Sequence, residues 1–343
     1  MNSLIRLGLR IASLPILDVK KRYPLMRKVQ EAISKEEVEL ALEKTDYILF
    51  DDYLLSDDQE YHVPIRIFSP TKNVHLGIII FFHGGGYVTG NVDTYTKTCL
   101  ELAEVSRHII FSVDYRLAPE NPYPAAVNDC YTVAWEIANY FRNEFPKNLP
   151  NEFSKKTPIY LMGDSAGGNL AAVVSQLLTE QMDFQVDGQI LLYPAVGNDY
   201  SDEFVESGIF PSLKEKGFDF GLTLQNLRDY YDLYLPDPKL LKTDSKVSPL
   251  LNHDFRGLPP TLLITAEHDL LRDEGMFYAQ KLKDAGVKIE SYIMPDVPHG
   301  FLTRSILFPE AHKKLSKSIN DFLHVTEIIN PEEIFEQEGL GEI

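Results

Sequence analysis

The sequence predicts an α/β fold: a mostly parallel, eight-stranded sheet with helices on both faces and a helical cap. Three observations predict it. From residue 76 onward, short apolar runs alternate with longer helix-like runs, as in a parallel sheet wrapped by crossover helices. Ahead of them, two strand-like runs joined by a short Asp/Ser turn read as an antiparallel edge. Finally, between Tyr193 and Thr261 the alternation stops for more than sixty aromatic-rich residues, which read as an insertion.

The elements follow in order. Residues 1–45 are helix-rich. Strands are expected near 47–55, 60–68, 76–82, 108–113, 158–162, 188–193, 261–266 and 287–294. Helices fill 93–105, 124–143, 167–181, 272–285 and 309–323. The run Ile78-Ile79-Ile80-Phe81-Phe82 is apolar throughout, which suits a central strand covered on both faces. Residues 1–45 and 198–256 make the two parts of the cap. The core is split into 46–197 and 257–323. Residues 324–343 form an acidic tail with Glu327, Glu332, Glu333, Glu336, Glu338 and Glu342 and no Lys or Arg, a solvated composition. The final strand is a sheet edge carrying Lys288 and Glu290; an edge could pair with a second copy, so a homodimer is a possible assembly.

Composition narrows the function. With 44% hydrophobic and 24% charged residues, the 343-residue chain is an ordinary globule. A net charge of −18 disfavours nucleic acid and anionic membrane surfaces. Cys99 and Cys130 have no metal-site spacing and need no disulfide, so no metal is expected. Arg6 and Arg10 interrupt the apolar start, and no stretch approaches the ~20 apolar residues of a membrane span. A cytoplasmic location is the expectation.

The most informative residues are Gly163-Asp164-Ser165-Ala166-Gly167-Gly168, between a strand-like and a helix-like run. A glycine-flanked serine at such a junction is a nucleophile elbow, whose sharp turn lifts the hydroxyl off the sheet toward a helix N-terminus. All-β proteases share the Gly-Asp-Ser string, but their partners run His, Asp, Ser, and no helix follows the serine. Here the partners should lie downstream. Asp269 follows the strand 261–266, and His299 follows the last strand in a loop with Gly300. Glu267 and Asp273 are rival acids; His268 and His312 are rival bases. Order and placement after strands favour Ser165, Asp269 and His299. After the third strand comes His83-Gly84-Gly85-Gly86-Tyr87, where successive glycines can aim N–H groups at one spot. His83 reads as structural.

With these motifs the chain resembles the hormone-sensitive-lipase-like branch of the α/β-hydrolase superfamily, a bacterial carboxylesterase group. The resemblance rests on His83-Gly84-Gly85-Gly86, Asp114-Tyr115-Arg116-Leu117-Ala118-Pro119-Glu120, the Gly163 to Gly168 string, the Asp269 to Gly275 segment and His299-Gly300-Phe301. It implies an α/β-hydrolase fold. It also implies Ser165 as nucleophile, Asp269 and His299 as its partners, and the N–H groups of Gly85, Gly86 and Ala166 as oxyanion donors. Arg116 and Glu120 are then scaffold residues. The aromatic-rich insertion over the catalytic edge suggests an apolar pocket for a small acyl ester of short to medium chain, with Tyr87, Phe210 and Phe301 as candidate contacts; the alternative for each aromatic is plain packing. Such acyl transfer needs no cofactor. A lipase, a peptidase on the same fold, and a binding protein that keeps the fold without the chemistry are competing readings. The intact Ser165, Asp269 and His299 set weighs against the last.

Overall fold

A computed structural model describes residues 3–13, 18–42, 47–70, 76–144, 156–181, 185–218 and 220–324. Residues 325–343, most of the expected acidic tail, lie outside the described residues. Helices α1 (Ser3–Ala12) and α2 (Val19–Leu42) lead into β1 (Tyr47–Leu55), β2 (His62–Pro70) and β3 (Ile78–Phe82). Alternation follows: α3 (Val92–Ser106), β4 (Ile109–Val113), α4 (Ala125–Asn139), β5 (Ile159–Asp164), α5 (Ala166–Glu180) and β6 (Gly188–Leu192). Four short helices then interrupt it: α6 (Asp202–Ser207), α7 (Pro211–Glu215), α8 (Leu224–Tyr234) and α9 (Leu240–Thr243). The chain returns to β7 (Thr261–His268), α10 (Arg272–Asp284), β8 (Ile289–Pro298) and α11 (Pro309–Phe322).

The eight strands form one sheet in the order β1-β2-β4-β3-β5-β6-β7-β8. β1 pairs antiparallel with β2, and β2 antiparallel with β4; every other pairing is parallel. Edge and centre differ as their sequences require. β1 is largely exposed, whereas all five residues of β3 are buried. Along β3 the side chains alternate between two cores. Ile78, Ile80 and Phe82 join one cluster with Leu161; Ile79 and Phe81 join the other with Tyr160 and Met162. Each such side chain contributes about 1.5–3 kcal/mol when fully buried, so the centre of the sheet anchors the fold.

The two largest boundary differences from expectation are at β8 and α4. β8 begins at Ile289 and runs to Pro298, past the expected end at 294, because β7 also continues and His268 pairs with Pro298 beyond a register shift. α4 ends at Asn139, and a π-helical turn, Tyr140–Glu144, takes over the last part of the expected helix. On the ligand edge, α2 packs on α8 and α3. Arg27 of α2 also grips the body. Its Nε donates to the Val88 carbonyl (2.7 Å), and its two terminal nitrogens donate to Glu120 at 3.0 Å each. Among the described residues no helix is long and apolar enough to cross a membrane.

Candidate active site

Parallel strands end on the same side of a sheet, so the loops after β3, β5, β7 and β8 converge there. Ser165 follows β5 and begins α5 with φ 56° and ψ −119°. A non-glycine residue in such backbone stores about 1–3 kcal/mol of strain, which the surroundings must hold. They hold it by close packing. A Cβ at Gly163 would overlap the Gly167 carbonyl, and one at Gly167 would overlap the Phe82 carbonyl. The turn is therefore closed to larger residues at both glycines. The Ser165 N–H donates to the Leu192 carbonyl at 2.9 Å.

His299 Nε2 lies 2.8 Å from Ser165 Oγ, and its Nδ1 lies 2.7 Å from Asp269 Oδ2. A carboxylate accepts, so the ring proton belongs on Nδ1, leaving Nε2 to accept from the hydroxyl. The Asp269 side chain is fully buried, and its other oxygen accepts the Leu271 N–H at 2.9 Å. The Tyr193 ring meets the His299 ring edge-on, with centroids 4.9 Å apart. The rivals are engaged elsewhere. Glu267 accepts the Asp296 N–H at 2.8 Å, and Asp273 accepts the Ser212 N–H at 2.7 Å. His268 stacks on Phe220 and faces Asp296, while His312 Nε2 meets the Phe301 carbonyl at 2.9 Å.

The glycine loop after β3 is tied down from several sides. His83 is buried and stacks on Tyr115, whose hydroxyl donates to the His83 carbonyl at 2.7 Å. Burial holds the His83 pKa down, at about 4, so the ring is neutral. The Gly85 carbonyl accepts from Val88 and Thr89. Among the described residues, the N–H groups of Gly85, Gly86 and Ala166 have no acceptor, and all three residues line one cavity with Ser165 and His299. The α5 N-terminus adds its partial positive charge there.

Asp164, the variable position of the serine motif, joins the two halves of the site. It accepts from the Gly84 N–H (2.9 Å) and the hydroxyls of Tyr95 (3.1 Å) and Tyr193 (3.2 Å). Burial pushes its carboxyl up to about 6, against the pull of these hydrogen bonds and of His299. Sequence reasoning passed over this residue.

The cavity holds about 350 Å³. Tyr87 lines it, together with Leu222, Asn226, Leu227, Tyr230 and Tyr231 from the insertion. Phe210 and Phe301 do not, which corrects two expected contacts. Phe210 packs against Phe204 and Phe277; Phe301 is fully buried against Tyr193 and His312. Both are core side chains whose position beside the insertion or the histidine does not turn them toward the cavity. Arg116 binds Asp129 and Asp58, and Glu120 binds Arg27, so both serve the scaffold. Among the described residues no group of three or more His, Cys, Asp or Glu side chains is placed to hold a metal ion.

A family defined by the alpha/beta hydrolase fold matches residues 79–303, from inside β3 to just beyond His299. The chain belongs to the α/β hydrolase fold family. Within this family it is similar to the carboxylesterase NlhH of Mycobacterium tuberculosis, 33% identical over 265 residues, 75% of this chain and 76% of that one. It is also similar to the carboxylic ester hydrolase LipN of the same organism, 34% identical over 244 residues. That match takes in 70% of this chain but only 61% of the relative's length. Among solved α/β hydrolase structures, the Pyrobaculum calidifontis esterase superposes with a TM-score of 0.80 at 31% identity, covering 94% of this chain and 98% of that one.

Proposed function

We propose that this enzyme, a carboxylic ester hydrolase, is a serine esterase that cleaves short- to medium-chain acyl esters through an acyl-enzyme. One observation carries the reading. Ser165, His299 and Asp269 form a continuous relay at 2.8 and 2.7 Å, beside three N–H groups that have no acceptor among the described residues. His299 Nε2 takes the Ser165 proton as Oγ attacks the ester carbonyl, while Asp269 orients the ring and stabilises its protonated form. The oxyanion is held by the N–H groups of Gly85, Gly86 and Ala166, each donor worth about 10²–10³ in rate. His299 then protonates the leaving alcohol, and the acyl group remains on Oγ. Water, activated by His299, attacks the acyl-enzyme; the acid leaves and Ser165 regains its proton. The cap, assembled from α1, α2 and the insertion, closes over the cavity and limits acyl length.

A series of nitrophenyl esters of increasing acyl length tests substrate size. Best turnover is expected from acetyl to hexanoyl, with little beyond about ten carbons, because a cavity of about 350 Å³ excludes longer chains. Efficient cleavage of emulsified long-chain triglycerides would favour the lipase reading instead.

A further inference from the structure

Arg304 stands five residues after His299 and lines the same cavity as Ser165. It is the only Lys or Arg among the described residues of that lining. Its backbone is fixed: the N–H donates to the Phe301 carbonyl at 3.1 Å, and its carbonyl accepts from Leu307 and Phe308. Its half-buried guanidinium, by contrast, has no hydrogen bond and no ion pair to any described residue.

Several other half-buried arginines hold carboxylates: Arg27 holds Glu120, Arg66 holds Asp51 and Asp93, and Arg116 holds Asp129 and Asp58. With 51 Asp and Glu against 33 Lys and Arg, acids are abundant. The one carboxylate among the described residues of the cavity lining, Asp164, is taken by Gly84, Tyr95 and Tyr193. Burial draws the Arg304 pKa below its ordinary value, yet an arginine remains charged at neutral pH. A charged fork partly withdrawn from water, and without a partner among the described residues, favours an anion supplied by whatever enters the cavity.

We propose that the cavity selects esters that carry a carboxylate on the acyl or the alcohol arm, with the Arg304 guanidinium as the partner of that carboxylate. This rests on the reading of Ser165 as nucleophile, since it places the scissile ester in the same cavity. In a space of about 350 Å³, the carboxylate and the ester carbonyl must be only a few bonds apart. Candidate substrates are monoesters of short dicarboxylic acids and esters of hydroxy acids.

Two matched pairs separate the arms. Monoethyl glutarate against ethyl pentanoate places the charge on the acyl side. Para-butanoyloxybenzoate against phenyl butanoate places it on the alcohol side. The readout is the ratio of kcat/KM for the charged ester to that for its neutral partner. Arg304→Gln should lower this ratio roughly 10- to 100-fold in one arm, the scale of a lost charge-assisted hydrogen bond, and Arg304→Lys should restore part of it. Near-UV circular dichroism and fluorophosphonate labelling of Ser165 report whether each variant is folded. If Arg304→Gln does not fold, Arg304→Lys alone decides, because an ammonium lacks the bidentate fork and should still lower the ratio. A ratio that the folded variant leaves unchanged in both arms overturns the proposal and spares the esterase reading. Failure of the wild-type enzyme to hydrolyse any of the four esters overturns both.

Discussion

Asp269 Oδ2 stands 2.7 Å from His299 Nδ1, on a fully buried carboxylate whose second oxygen is held by the Leu271 N–H. The acid is thus fixed by its own loop before it orients the imidazole. Asp269→Asn should cost about 10⁴ in kcat, because an amide facing Nδ1 favours the wrong ring tautomer. Glu267→Gln should change kcat little, since Glu267 faces the Asp296 N–H instead. Steady-state kinetics on both variants check this; equal losses would contradict the choice of acid.

Gly86 has φ +63°, and a Cβ there would run into the Tyr230 ring. Gly86→Ala should therefore displace either the glycine loop or Tyr230. The expected result is a folded protein whose kcat falls by about 10²–10³, the value of one oxyanion donor. Thermal melting verifies the fold and ester kinetics the loss.

Glu274 gives a pH signature of stability. It is wholly buried on α10, where one oxygen accepts from the Val196 and Gly197 N–H groups and the Tyr200 hydroxyl. Burial raises its pKa from 4.5 to about 8, with Asp269 adding to the rise. The folded state therefore binds a proton more tightly than the unfolded chain. Its stabilising contribution is complete below pH 4.5 and is lost as pH rises through about 8. Glu274→Gln removes this titration. Melting temperatures from pH 5 to 9 should fall more steeply for wild type than for the variant; parallel curves would contradict the assignment.

Much of this was legible in the sequence for reasons of local chemistry. A run such as Ile78 to Phe82 has no polar side, so only a central parallel strand suits it, and the glycines around Ser165 mark a turn that a Cβ would block. The unread parts depend on distant partners. Asp164 looks like a filler position until Gly84, Tyr95 and Tyr193, 80, 69 and 29 residues away, converge on it. Phe210 and Phe301 failed as cavity residues because aromatic content does not say which face of an element meets the cavity. The end of β8 depended on the extension of β7 beside it, a property of the pair and not of either strand.

The central claim is that Ser165 is the nucleophile, and Ser165→Ala tests it most directly. The measurement is kcat for nitrophenyl acetate on wild type and variant, purified identically, with circular dichroism to verify the fold. Loss of a triad nucleophile costs up to about 10⁶ in kcat, so the variant should be inactive while remaining folded. A folded Ser165→Ala protein that keeps more than a few per cent of wild-type turnover would contradict the account.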